Sequence, residues 1–142
     1  MDDIKFKLRK IETIQFAILE DQYSLDKEPA QYKTKHKFGI DLINKVLVVY
    51  SKVQFKQLDT PPFLLIEVAC SFEITEKSWE SLNVDHKIIF PCDFIEHLLT
   101  ISIGTVRGIL HTKTEQTKFN EFILPPADVT NVMDGNLVFE KK

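Results

Sequence analysis

Glycine is scarce in this chain, with four among 142 residues. A loop that cradles phosphate needs several glycines, so that backbone N–H groups can close on the anion. With so few, a Gly-rich nucleotide cradle is effectively excluded. The sequence also holds no G-x-S-x-G, no C-x-x-C and no H-E-x-x-H, the short patterns that carry acyl transfer, thiol redox and zinc chemistry. Cysteine is rarer still. Cys70 and Cys92 are far apart and make neither a metal-type pair nor a disulfide framework, and a reducing cytoplasm is the simplest setting for them. No apolar run approaches the ~20 residues that a membrane span requires. The first residues, Met1-Asp2-Asp3-Ile4-Lys5, are acidic and then alternating, which argues against a signal peptide. Positive charge is not in excess: 18 Lys and Arg face 21 Asp and Glu, a formal net charge of −3. Phosphate neutralisation needs clustered cations, so nucleic acid is not the expected partner. Lys33, Lys35 and Lys37 alternate with other residues and read as one solvated strand face rather than a basic groove.

Phenylalanine is abundant, at 11 residues. A chain this rich in Phe must bury most of these rings or use some of them to bind apolar partners. Its length suits one domain spanning residues 1–142, large enough to bury about two-thirds of its unfolded surface without a metal or disulfide.

Period-2 alternation dominates the first half. Ile4, Phe6 and Leu8 share a side, alternation breaks at Lys10–Glu12, and Ile14, Phe16 and Ile18 resume it. This predicts one long strand with a bulge or kink at the break. A polar loop follows over residues 20–30. His36, Phe38, Ile40 and Leu42 form a second alternating run, closed by a turn at Asn44-Lys45. Leu47, Val49, Val53 and Phe55 form a third, closed by Asp59-Thr60-Pro61-Pro62. Leu64, Ile66, Val68, Cys70, Phe72 and Ile74 form a fourth. Short connections predict an antiparallel meander.

Residues 76–90 break this pattern and hold Trp79. Ile89-Phe90-Pro91 then opens a helix, with Pro in its first turn and Asp93 and Glu96 at its positive end. The helix is expected from about Pro91 to about Lys113. Ile95, Leu98, Leu99, Ile103, Val106, Ile109 and Leu110 make its apolar stripe. A polar stretch over 113–118 and the Pro125-Pro126 run follow, and two prolines favour an extended edge. The fold class is therefore α+β: a four-stranded antiparallel sheet packed by one long helix.

Few side chains carry chemical promise. Asp93 and His97 share a helix face, but two ligands do not make a metal site, and His111 lies roughly 21 Å further along. Cys92, at a helix start, has no base within a turn and reads as an ordinary thiol; Cys70 reads as a small core residue. Gly104 and Gly108 each cost about 1 kcal/mol in a helix interior. They face away from the apolar stripe with His97, Thr100 and His111. They read either as tolerated surface glycines or as a small-residue face that admits a second helix, and the second reading is favoured.

The order of these features resembles the SecB family of protein-export chaperones. The stretch Phe6-x-Leu8-x-Lys10-Ile11 through Phe16 is similar to that family's first strand. Phe90-Pro91 is similar to the entry to its long helix, and Leu124-Pro125-Pro126-Ala127-Asp128-Val129 to the turn after that helix. The resemblance implies an ATP-independent holdase without cofactor or catalytic residue. It implies a cytoplasmic homo-oligomer, a dimer or dimer of dimers, whose long helices meet across the face of His97, Thr100, Gly104, Gly108 and His111. Aromatics off the core pattern, Tyr50, Trp79, Phe119 and Phe122, are the candidate polypeptide-binding residues, each of which reads otherwise as a ring packed under a loop. Two departures stand out. The polar segment over 112–120 is longer than that family's usual link, and the stretch after Val129 is too short for its full second helix. Docking to an export ATPase is therefore in question, and an adaptor serving one partner, such as a toxin–antitoxin or secretion component, is the alternative function.

Overall fold

In the computed structural model, which describes residues 3–130 and 132–141, four strands form the first sheet: β1 (Phe6–Ile18), β2 (Gln31–Asp41), β3 (Val46–Lys56) and β4 (Leu64–Ile74). Their order is β1-β4-β3-β2, antiparallel throughout. The meander holds for β2 to β4, which are joined by short turns. β1 is instead carried by the loop over residues 19–30 to the far side, where it pairs with β4. Both hairpin turns use left-handed backbone at Lys45 and Asp59 (φ 58° and 61°), and Asp41 caps the first turn by accepting the N–H groups of Ile43 and Asn44.

Register follows the hydrophobic alternation. Leu47 faces Phe72, Val49 faces Cys70 and Val53 faces Ile66 across β3 and β4, and all six side chains are buried on one face. The break in β1 is resolved as two irregularities rather than one: the register slips between Leu8 and Lys10 and again between Thr13 and Gln15. These flank the predicted site at Lys10–Glu12. Each slip turns the strand, so Ile11 still faces Cys70 and Phe16 still faces Ile66.

Helix α1 (Glu76–Leu82) occupies part of the stretch that had no predicted element. Its N-cap is Thr75, whose hydroxyl accepts the Ser78 N–H, the usual way to satisfy a first-turn donor. Strands β5 (Asn83–Val84) and β6 (Lys87–Phe90) follow, turning at Asp85 (φ 57°). The long helix α2 (Cys92–Lys113) therefore begins after Pro91, matching the expected boundaries, while Ile89 and Phe90 belong to a strand rather than to the helix opening. The last strand, β7 (Leu137–Glu140), pairs with β6 and completes a three-stranded second sheet, so the stretch after Val129 adds a strand.

α2 lays Ile95, Leu98, Leu99, Ile103, Val106 and Leu110 on the first sheet as predicted, with Phe94 and Ser102 also buried and Ile109 only half-covered. Its N-cap is Pro91, which has no side-chain acceptor; Asn136 supplies one from the C-terminal segment, accepting the Cys92 N–H at 2.9 Å. At the other end the buried Thr114 hydroxyl donates to Leu110 O at 2.9 Å, and Asn120 donates to His111 O at 2.9 Å. The long polar link is thus a C-terminal cap. Residues 122–129 run as an extended strap without strand pairing. Arg107 fixes it by donating from Nε to Leu124 O (2.6 Å) and from Nη2 to Pro125 O (3.1 Å).

Candidate polypeptide-binding and assembly surfaces

Among the described residues, two uncovered apolar surfaces bear on function. The first lies between β1 and α2. Leu8, Ile11 and Ile14 lie along β1, Leu8 and Ile11 pairing with buried residues of β4, yet all three stay 39%, 47% and 46% exposed. The helix lies over β3 and β4 and leaves the β1 side open. Two contacts close the ends of this trough. The Phe6 ring meets the His97 ring edge-on at 5.9 Å, and the Lys113 ammonium sits 5.4 Å over the Phe16 ring. Between them α2 presents Ile101, Gly104, Thr105, Gly108 and Ile109.

The five residues expected at a helix–helix contact, His97, Thr100, Gly104, Gly108 and His111, are all exposed and share one side of α2. The side is smooth for a definite reason. A Cβ added at Gly108 meets nothing within 4 Å, and one at Gly104 meets only an Arg107 nitrogen at 3.8 Å. The nearby hydroxyls fold back on their own helix: Thr100 donates to Glu96 O and Thr112 to Gly108 O, both at 3.0 Å. What remains is backbone and methyl surface.

The second surface is an aromatic bowl at the end of the sheet where β3 ends and β4 begins. The rings of Tyr23, Phe55, Phe63, Phe119 and Phe122 pack with centroids 4.9 to 6.3 Å apart. Phe63 and Phe119 form its buried base, and Tyr23 and Phe122 are half-exposed. Gln57 anchors the loop over residues 19–30 to it. Its side chain, 2% exposed, accepts the Ser24 N–H (3.0 Å) and donates to Ser24 O (2.7 Å) and Glu28 O (3.3 Å). The residues that follow Ser24 and Gln57, Leu25 and Leu58, are exposed, as is Ile123 after Phe122, and the exposed Tyr32 sets its ring 6.2 Å from that of Phe55.

The four aromatics expected to bind polypeptide do not come together. Phe119 and Phe122 both belong to the bowl, 6.3 Å apart, but Phe119 is buried as its base. Trp79 is not a surface residue: α1 carries it inward, 6% exposed, edge-on to Phe90 at 6.3 Å. Of its two sequence readings, client contact or a ring packed under a loop, the packed one agrees with this placement; a seven-residue helix is too short to declare its buried side through periodicity. Tyr50 lies on the other face of the sheet, half-buried under the Lys37 ammonium at 5.1 Å. Reading single residues missed Tyr23, Gln57 and Phe63; the signal for the rings is that all but Phe55 stand in or beside turn or loop segments.

The two thiols are quiet. Burial pushes the Cys70 thiol up, partly offset by the Ser102 and Thr105 hydroxyls. Cys92 is also raised, chiefly because its thiol hydrogen-bonds Glu96 Oε1 at 3.2 Å, which opposes the helix-start effect. Among the described residues no three His, Cys, Asp or Glu side chains gather as a metal site. No helix among them is long and apolar enough to cross a membrane.

No family model and no curated protein matches the sequence. The fold does have a counterpart among solved structures. A SecB-like chaperone of Mycobacterium tuberculosis (Rv1957), solved in complex with a ChAD peptide from the Rv1956 HigA1 antitoxin, superposes with a TM-score of 0.51 at 11% identity. The match covers 84% of this chain and 89% of that one. The fold is that of a SecB-like chaperone, as the order of strands, long helix and proline turn implied.

Proposed function

We propose that this chain is an ATP-independent, SecB-like holdase that binds extended apolar segments of other polypeptides in the aromatic bowl, and is not an enzyme. The observation that carries the reading is the bowl itself: five packed rings, with Tyr32 exposed beside Phe55 and with Leu25, Leu58 and Ile123 exposed next in sequence to Ser24, Gln57 and Phe122. A stable protein gains nothing by leaving such a rim open, and contiguous exposed apolar surface marks interaction sites. Phe122 and Tyr23 are the contact residues, while Phe119 supports them from beneath. The trough along β1 and the glycine face of α2 serve self-association, as a dimer or dimer of dimers.

The test is light scattering of a denatured test protein with and without this chain. Protection at stoichiometric ratio without nucleotide is expected, and Phe122→Ala should remove most of it. No protection at excess wild-type chain would reject the general holdase. One observation favours the adaptor reading in that event: the structural counterpart was solved with a peptide from a single antitoxin. Capture of one stoichiometric partner, with no protection of unrelated chains, would establish it.

A further inference from the structure

The face of the first sheet turned away from α2 carries a cluster of lysines on β2 and β3, while its carboxylates, Glu67 and Glu73, lie on β4. On β2, Lys33, Lys35 and Lys37 point to this side and are exposed; on β3, Lys52 and Lys56 join them, half-exposed. Lys35 stands directly across from Lys52. Like charges opposite each other weaken a strand pair, so this juxtaposition costs the free protein stability. Lys37 is engaged, 3.9 Å from Glu67 and over the Tyr50 ring. The other four form no ion pair among the described residues. Glu67, across from Lys52, is the nearest acidic counterweight in the register. A shallow hollow of about 150 Å³ opens between Lys33, Lys35, Lys52 and Gln54.

β2 is also an edge strand: among the described residues nothing pairs with its outer side. Lysine on an edge strand discourages random pairing, but that need does not extend to Lys52 and Lys56 on the interior strand β3. We infer that this face docks an extended acidic segment of a partner protein, with carboxylates at alternate positions. Lys33, Lys35 and Lys37 repeat every second residue, about 6.6 Å apart along the strand. An extended peptide carrying Asp or Glu at alternate positions has the same repeat. A short acidic segment suits the patch better than a nucleic acid does, because the chain as a whole carries −3 and repels a long polyanion. The site lies on the opposite side of the sheet from the aromatic bowl and stands independently of the holdase reading.

The probe is a ten-residue peptide alternating Glu and Thr, titrated into the full chain at low salt and followed by calorimetry and by amide shifts of β2 and β3. Binding that weakens with salt is expected, with shifts at residues 33–37 and 50–56. The matching Lys–Thr peptide should not bind. Lys35→Glu turns the like-charge pair into an attractive one, so it should raise the melting temperature by about 1–3 °C while weakening the acidic peptide about tenfold or more. Its protection in the light-scattering assay should equal wild type. Absence of binding at low salt, undiminished binding by Lys35→Glu, or tighter binding of a 20-nucleotide single-stranded DNA would each overturn the inference.

Discussion

His36 sits on the helix-facing side of β2, where its Nδ1 lies 2.9 Å from the hydroxyl of the fully buried Ser51. Burial holds its pKa below the ordinary histidine value. The sign of the consequence is fixed. Above about pH 6.5 both folded and unfolded chains hold the ring neutral; below it the unfolded chain takes up a proton that the folded chain resists. Stability is therefore lost as pH falls below about 6.5. Asp41 and Asp128 are held low, chiefly by hydrogen bonds from Asn44 and Thr130, and their loss comes only nearer the carboxylate range. Urea unfolding at pH 7.5 and 5.5 should show the drop in the wild type and a smaller one in His36→Gln; an equal drop in both would assign it elsewhere. Single residues of this kind were the least legible in the sequence. Gln57 follows a strand and precedes Leu58-Asp59, a setting that suggests solvent, yet it is the bolt of the 19–30 loop. Nothing in composition distinguishes a polar side chain that satisfies distant backbone groups from one that faces water.

α2 was readable because 22 residues repeat their apolar spacing enough times to fix both ends and the buried side. The same holds for β3 and β4, whose alternation runs over 11 residues each. α1 and the second sheet were not readable, since seven, two and four residues hold no more than two full periods. β7 depends on a partner strand nearly fifty positions away. Within α2, the glycines allow a clean experiment. Space around Gly108 is open and Gly104 is bordered only by a flexible Arg107, so Gly104→Leu with Gly108→Leu fits the single chain. It should even raise its stability, by up to about 1 kcal/mol per position from helix propensity. If α2 faces meet in the assembly, the same bulk must separate them. Sedimentation should then show a larger species for the wild type and a monomer for the double variant, with unchanged circular dichroism. A monomeric wild type, or normal assembly of the variant, would refute the contact.

At the scale of the molecule, three surfaces divide by physics. The bowl is apolar, the trough between β1 and α2 is apolar and smooth, and the lysine face is charged. Ionic strength separates them. Screening at about 0.15 M salt shortens the reach of exposed charges to about 8 Å, whereas burial of apolar area is little weakened. Raising sodium chloride from about 0.05 M to about 0.5 M should leave suppression of aggregation by the wild type largely intact. Phe122→Ala should lower it at every salt concentration, because the lost contact is apolar. A client held mainly through the lysine face would show the reverse: strong salt dependence, sensitivity to Lys35→Glu and indifference to Phe122→Ala. The two variants crossed with the two salt conditions therefore locate the client on one face of the sheet or the other. A holdase whose protection vanished at about 0.5 M salt would not be binding through the bowl, whatever its affinity at low salt.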